Sequence, residues 1–389
     1  TGNLNAGIVT VTSISGNGAG LSNVGVDTAT VDASTLQVSG ISTFKNELKV
    51  TAGGIEVDGG GLDIAGVSTF ASDVRVTGNL NAGITTATAF VPSSGQLSNR
   101  NLIINGAMQV AQRGTSSTTI GYQTLDRYYL DFTGTDENPT QAQVDVASGT
   151  TPYTLGFRKA YKITNGDQSG GAGTSDGIFL NYSIEAQDIA NSGWNYTSAS
   201  SFITLSFWVK SSVGQNFYGR LYSYDGTSQG YAFETGSLTA DTWTKVTKII
   251  AGNSNLQFDN DANAGLLLEL VAFRGTAFTA SMTLNQWAAY NSNSRTPDNT
   301  TTWYTTNNAT LEFTGIQLEV GSAATPFEHR SFGEELNLCK RYFQPFIQYA
   351  EYVSGGTGNL GFPYTAFTVP MRASPTFVSE QKSKSSNWS

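Results

Sequence analysis

The octapeptide TGNLNAGI stands at Thr1–Ile8 and returns unchanged at Thr77–Ile84. A shorter period lies between the two copies, where Leu36, Val38, Gly40 and the run Ser42-Thr43-Phe44 recur as Leu62, Ile64, Gly66 and Ser68-Thr69-Phe70. Fixed spacing of this kind confines a chain to a stacked or wound array, because each unit is too small to close a core of its own. Segments such as LQVSG, LKVTAG, IEVDGG and DVRVTG alternate apolar and polar residues over only about five positions. Burying a Val or Leu contributes roughly 1.5–3 kcal/mol, whereas ordering costs about 1–2 kcal/mol per residue, so one copy cannot hold itself together. Winding several identical chains around one axis removes the exposed strand edges and pools the small cores. A homotrimeric β-stalk over residues 1–97 is therefore expected, with Phe44 and Phe70 on the common axis. A flexible linker would keep neither the alternation nor the repeated octapeptide.

Near residue 97 the chemistry changes. All six Trp and all 17 Tyr follow that point, and the first Pro is Pro92. Five stretches then read as strands: FITLSFWVK (202–210), NFYGRLYSY (216–224), TWTKVTKII (242–250), GLLLELVAF (265–273) and TLEFTGIQLEV (310–320). In the first of them Ile203, Leu205, Phe207 and Val209 fall on the apolar face and Trp208 on the other. Many strands with polar loops and little helix signal predict a mainly β chain, with an antiparallel β-sandwich of jelly-roll type over residues 98–332. One short helix is legible: Ser331 with Glu334 forms a capping box, Leu336, Cys339 and Phe343 make a stripe, and Pro345 ends the run. Residues 333–389 are expected to hold that helix and the opening of an incomplete tip domain.

The string NRNLIINGAMQVAQRGT at 99–115, together with GSAATPFEHRSFGEELNLCKRYF at 321–343 and FTVPMRASPTF after it, resembles the distal parts of bacteriophage tail fibres and related virion proteins. The GNLNAGI and GVSTF units are similar to the repetitive stalks of fibres from phages of marine cyanobacteria. FITLSFWVKSS, DTWTKVTKII and TLEFTGIQLEVGS resemble strands of carbohydrate-binding modules with a jelly-roll fold. These resemblances imply a non-enzymatic structural fibre of a virion, in the tail or another external appendage, adhering to host cell-surface glycans. The implied partners are two further copies of the chain and other virion proteins reached through the N-terminal stalk. A capsid, head-fibre or neck-whisker component without a receptor role, and a tailspike-type polysaccharide depolymerase, are the alternatives.

Chemistry narrows these readings. A net charge of -9 repels nucleic acid phosphates, and no apolar run is long enough to insert into a membrane. The single Cys339 forms no intrachain disulfide, and the single His329 leads straight into the helix cap, which favours a structural hydrogen bond over a catalytic triad. A pair of carboxylates for glycoside hydrolysis is not excluded by counting 30 acids. No cofactor is expected. Asp259 and Asp261, in DNDAN, alternate oxygen-bearing side chains as weak metal candidates, compatible with a structural Ca²⁺ but lacking the Gly and Glu of an EF-hand. The most informative constellation is aromatic: Tyr218, Arg220, Tyr222 and Tyr224 share one face of a strand, offering flat rings and one guanidinium to a sugar, and Trp208 is the candidate to extend the platform. The same rings would equally suit a covered sheet face or a subunit contact.

Overall fold

The computed structural model describes residues 99–280, 282–345 and 367–376. The repeats, with Phe44 and Phe70, lie outside the described residues. The chain divides into two compact units, Thr1–Thr85 and Thr86–Ser389, and everything that follows belongs to the second.

Twelve strands occur among the described residues. In chain order the first six are β1 (Ser116–Ser117), β2 (Tyr128–Thr133), β3 (Thr140–Asp145), β4 (Lys159–Thr164), β5 (Gly177–Glu185) and β6 (Phe202–Ser211). They are followed by β7 (Asn216–Ser223), β8 (Gln229–Ser237), β9 (Thr244–Ala251), β10 (Ala264–Arg274), β11 (Trp287–Ala289) and β12 (Thr310–Val320). They form two six-stranded sheets, the first in the order β1-β3-β4-β12-β6-β9 and the second in the order β11-β8-β7-β10-β5-β2. Every pairing between these strands is antiparallel. The chain is mainly β, as its alternation predicts.

Alternation explains the core. On β6 the side chains of Ile203, Leu205, Phe207 and Val209 are fully buried between the sheets, while Leu266, Leu268 and Leu270 of β10 and Leu311, Phe313 and Leu318 of β12 meet them from the same interior. Each such side chain contributes roughly 1.5–3 kcal/mol relative to exposure. The long connection after β10 closes one end of the interior, where the Tyr304 ring stacks on Phe273 at 4.2 Å. A smaller apolar cluster of Val146, Phe157 and Ala160 lies outside the first sheet, with Trp208, Trp243 and Phe327 against it.

The strings at 99–115 and 321–343 prove to be the two halves of one lock. β12 has a register irregularity between Thr314 and Gln317, at Gly315, whose φ is +61°. Beyond it, residues 102–106 take over as the neighbour of β12: the Leu102 amide donates to the Leu318 carbonyl (2.9 Å) and the Ile316 amide to the Gly106 carbonyl (3.0 Å). Asn101 Oδ1 accepts from the amides of Ile103 and Leu318, both at 3.0 Å. Asn105, at φ +61°, donates from Nδ2 to the carbonyls of Val110 and Asp126, and its amide donates to the buried Glu335 carboxylate.

Glu335 belongs to helix α4 (Phe332–Lys340), the longest of four short α-helices among the described residues, beside α1 (Thr151–Thr154), α2 (Ala186–Ala190) and α3 (Thr302–Thr305). The expected capping box is present: Ser331 Oγ accepts from the Glu334 amide and the Glu334 carboxylate accepts from the Ser331 amide. Cys339 is fully buried, which raises its thiol pKa. Just past the helix, Arg341 makes a bidentate pair with Glu185 at 2.9 and 2.8 Å, and the Tyr342 hydroxyl donates to the same carboxylate. The helix expected in the tip segment thus docks on the end of β5 as part of the sandwich. The backbone of Arg372 hydrogen-bonds back to Arg341 (2.9 Å).

Gly106 tests the lock most sharply, because a Cβ there would sit 2.1 Å from the Ile316 carbonyl oxygen. Gly106→Ala is expected to destabilise the sandwich by about 1–3 kcal/mol or more, read as a lowered thermal midpoint by circular dichroism.

Candidate functional site

The outward side chains of the second sheet line up in rows across the strands. Register places Tyr129 of β2, Asn181 of β5, Glu269 of β10, Arg220 of β7 and Ala232 of β8 in one row. A neighbouring row runs through Ser183, Leu267, Tyr222 and Gly230. On the other side lie Asp131, Phe179, Val271, Tyr218 and Glu234. The face spans three strand spacings between β2 and β7, about 15 Å at the usual separation.

At its centre, Glu269 is 2% exposed. Arg220 holds it with Nε on Oε1 at 2.9 Å and Nη2 on Oε2 at 3.2 Å, and Arg274, itself fully buried, donates to Oε1 as well. Burial pushes the Glu269 carboxyl upward, but Arg274 and Arg220 outweigh it and hold the pKa at about 2. This carboxylate is ionised at neutral pH and has no proton to give as a general acid. Arg220 is therefore half of an ion pair in the floor of the face, in place of the accessible cation that its strand position suggests.

Rings flank this floor on two sides. Tyr222 meets Tyr224 edge to face at 4.8 Å and Tyr290 at 4.7 Å, and its hydroxyl donates to Ser228 Oγ at 3.1 Å. Across the sheet, Tyr122 meets Tyr129 edge to face at 5.0 Å. Tyr224 is 42% exposed and Tyr122 38%, whereas Tyr218 and Tyr222 are half-buried. Burial and then Tyr222 raise the pKa of the Tyr224 phenol. Asp131 is half-buried, its carboxyl pushed up by burial and by Glu269 and drawn down by Arg274 and Arg295.

Trp208 does not join this surface. It projects from β6 in the first sheet, on the side away from the shared core, beside the Val146, Phe157 and Ala160 cluster. Asp259 and Asp261 sit in the turn before β10, where Asp261 accepts from the Asn263 amide (2.9 Å) and the Asp259 amide donates to Asp225 (3.0 Å). No group of three or more His, Cys, Asp or Glu side chains among the described residues is arranged to hold a metal ion. The His329 Nε2 lies 2.9 Å from the Leu155 carbonyl oxygen, with its ring against Phe157 and Phe327. Tyr122, Tyr129, Tyr290 and Arg274 were not singled out in the sequence. The alternation of Tyr129 and Asp131 along β2 carried a signal for one of them, but Tyr290 lies in an irregular connection that has none.

Chemically, the face offers flat apolar rings at two edges and a polar floor between them, the combination that binds a ligand with both C–H faces and hydroxyls. No family model and no curated protein matches the sequence. Solved structures similar to this chain include the enzymatically active domain of tailspike protein 4 from bacteriophage CBA120, at 9% identity and TM-score 0.29, covering 57% of this chain. The chain spans only 21% of that structure's length. Another is a putative sugar binding protein from Bacteroides thetaiotaomicron, at 12% identity and TM-score 0.30, covering 57% of this chain and 99% of its own. A third is the tripod from the baseplate of bacteriophage Tuc2009, at 13% identity and TM-score 0.26, covering 59% and 58% respectively.

The depressed pKa of Glu269 makes the sandwich acid-sensitive in a defined window. Its contribution to stability is fully present above the usual glutamate value near 4.5 and is lost as pH falls toward 2. Glu269→Gln leaves two buried guanidinium groups without their counterion and is expected to cost about 3–5 kcal/mol at pH 7. Denaturant melts from pH 7 to pH 2 should show the two proteins converging as the wild type loses this term.

Proposed function

We propose that this chain is a non-enzymatic fibre component of a bacteriophage virion, carried on an external appendage, and that it holds host surface glycans on the outer face of its second sheet. The observation that carries the reading is the placement of exposed Tyr122 and Tyr224, each backed edge to face by a second tyrosine, on either side of a polar floor. A saccharide presents apolar C–H faces to rings so arranged, and its hydroxyls meet Asn181, Ser183 and the tyrosine hydroxyls. The fibre assignment rests on the repeat units and on the strings at 99–115 and 321–343.

Single contacts of this type are weak. A homotrimer formed through the stalk compensates by presenting three faces to one surface, since linked sites raise apparent affinity by roughly 10²–10⁴. Short-range ring contacts also suit an acidic chain, which gains nothing from long-range attraction toward an anionic envelope.

The test is adsorption to host cells and to purified surface polysaccharide. Tyr122→Ala combined with Tyr224→Ala removes the two exposed rings without opening the core, and should abolish adsorption while leaving circular dichroism and oligomeric mass unchanged. Trp208→Phe, on the other sheet, should adsorb like the parent. Adsorption that survives the tyrosine pair but fails with Trp208→Phe would move the site to the opposite face.

A further inference from the structure

The second sheet's outer face is balanced in charge, unlike the chain as a whole. The sequence carries a net -9, yet Arg220, Arg274 and Arg295 stand here against the carboxylates of Glu269, Asp131 and Glu234. The buried part of this group is also incompletely bonded. Arg220 Nη1, Arg274 Nε and Nη1, and Asn181 Oδ1 are buried without a hydrogen-bond partner among the described residues. Buried polar atoms are seldom left so.

Arg295 lies nearer the surface than the other two guanidinium groups. It is half-buried and held between rings, its guanidinium carbon 4.8 Å from the centre of Phe278 and 6.0 Å from that of Tyr290. Its Nε donates to the Ser292 carbonyl at 3.0 Å, and no carboxylate lies within 4.0 Å of it among the described residues. Tyr290 is the ring that packs on Tyr222, and the same ring lies 5.5 Å from the Arg220 guanidinium carbon. A guanidinium without a carboxylate partner among the described residues therefore stands beside the tyrosines of the proposed binding face.

We propose that the ligand of this face is an acidic saccharide, a glycan with carboxylate-bearing residues, whose carboxylate pairs with Arg295 while its sugar rings lie on the tyrosines. The inference rests on the glycan-binding reading above and narrows it. A guanidinium takes a carboxylate through two parallel N–H donations, a geometry that a hydroxyl pair reproduces only weakly. A neutral glycan would cover the rings but leave Arg295 without a counterion.

The experiment compares each of three uronate polymers, polygalacturonate, alginate and hyaluronate, with the same polymer after its carboxyls are reduced to primary alcohols. Binding to the full chain is measured by titration calorimetry. At least one acidic polymer should bind roughly tenfold or more tighter than its reduced form, the factor expected of a charge-assisted contact. Arg295→Gln should bring the two forms within about twofold of each other at an unchanged melting temperature, and Arg295→Lys should restore part of the preference. Equal binding of acidic and reduced polymers, or a preference that survives Arg295→Gln, overturns the acidic-ligand inference and leaves glycan binding standing. Failure of every polymer in both forms overturns the two together.

Discussion

Strand β10 is buried along both of its faces, and much of the second sheet follows from that constraint. From Gly265 to Arg274 every residue is inaccessible, so the strand is apolar toward the core and must be satisfied locally on the other side. Glu269 interrupts the outer side and cannot reach water. A carboxylate in that position destabilises the fold unless it is paired and fully bonded. β7 supplies Arg220 from the adjacent register position and β10 itself supplies Arg274 past its irregularity at Val271–Phe273. Those guanidinium groups in turn lie against Phe179, Phe278, Tyr222 and Tyr290. The aromatic margin of the face is thus continuous with the charge at its centre.

A second constraint acts along β12. The strings at 99–115 and 321–343 are far apart in sequence but form a single structure, in which Asn101 satisfies the Ile316 carbonyl and the Leu318 amide, backbone groups of β12 that β4 does not reach, and Asn105 ties the Val110 and Asp126 backbone beside it. Arg330 joins the same knot through the carbonyls of Asn101 and Ile103 and through Glu335 at 3.6 Å. The strings at 99–115 and 321–343 serve closure of the sandwich, and they touch the candidate binding surface at Tyr122, whose ring centre lies 5.7 Å from the Arg113 guanidinium carbon.

This division explains how far the sequence could be read. The strand at 310–320 was legible to the residue and those at 202–210 and 216–224 to within one residue at each end through period-two alternation, whereas 265–273 was legible to the same precision as an apolar run of one strand's length. The cap at Ser331 was legible because its chemistry is local. β5 and β8 were not picked out; the first is interrupted by Asn181 and Ser183 and the second by Gly230, Glu234 and Gly236, so their patterns are weaker. Tyr218, Arg220 and Tyr222 share one side of β7 and Tyr224 packs on Tyr222, but alternation does not say what lies over a face. The connection carrying Phe278, Tyr290 and Arg295 decides that, and its packing depends on contacts that no local pattern encodes. Trp208 shares the aromatic character of the stripe but belongs to the other sheet, a distinction that rests on strand order alone.

The central claim is that a glycan lies across the second sheet between Tyr122 and Tyr224. Hydroxyl-radical footprinting of the protein with and without purified host surface polysaccharide tests it directly, since both rings are exposed and oxidisable. Protection of Tyr122, Tyr224 and Tyr290 on addition of the polysaccharide, with Ile249 on the first sheet unaffected, is the predicted result. Protection confined to the first sheet, with the tyrosines oxidised as in the free protein, would contradict it.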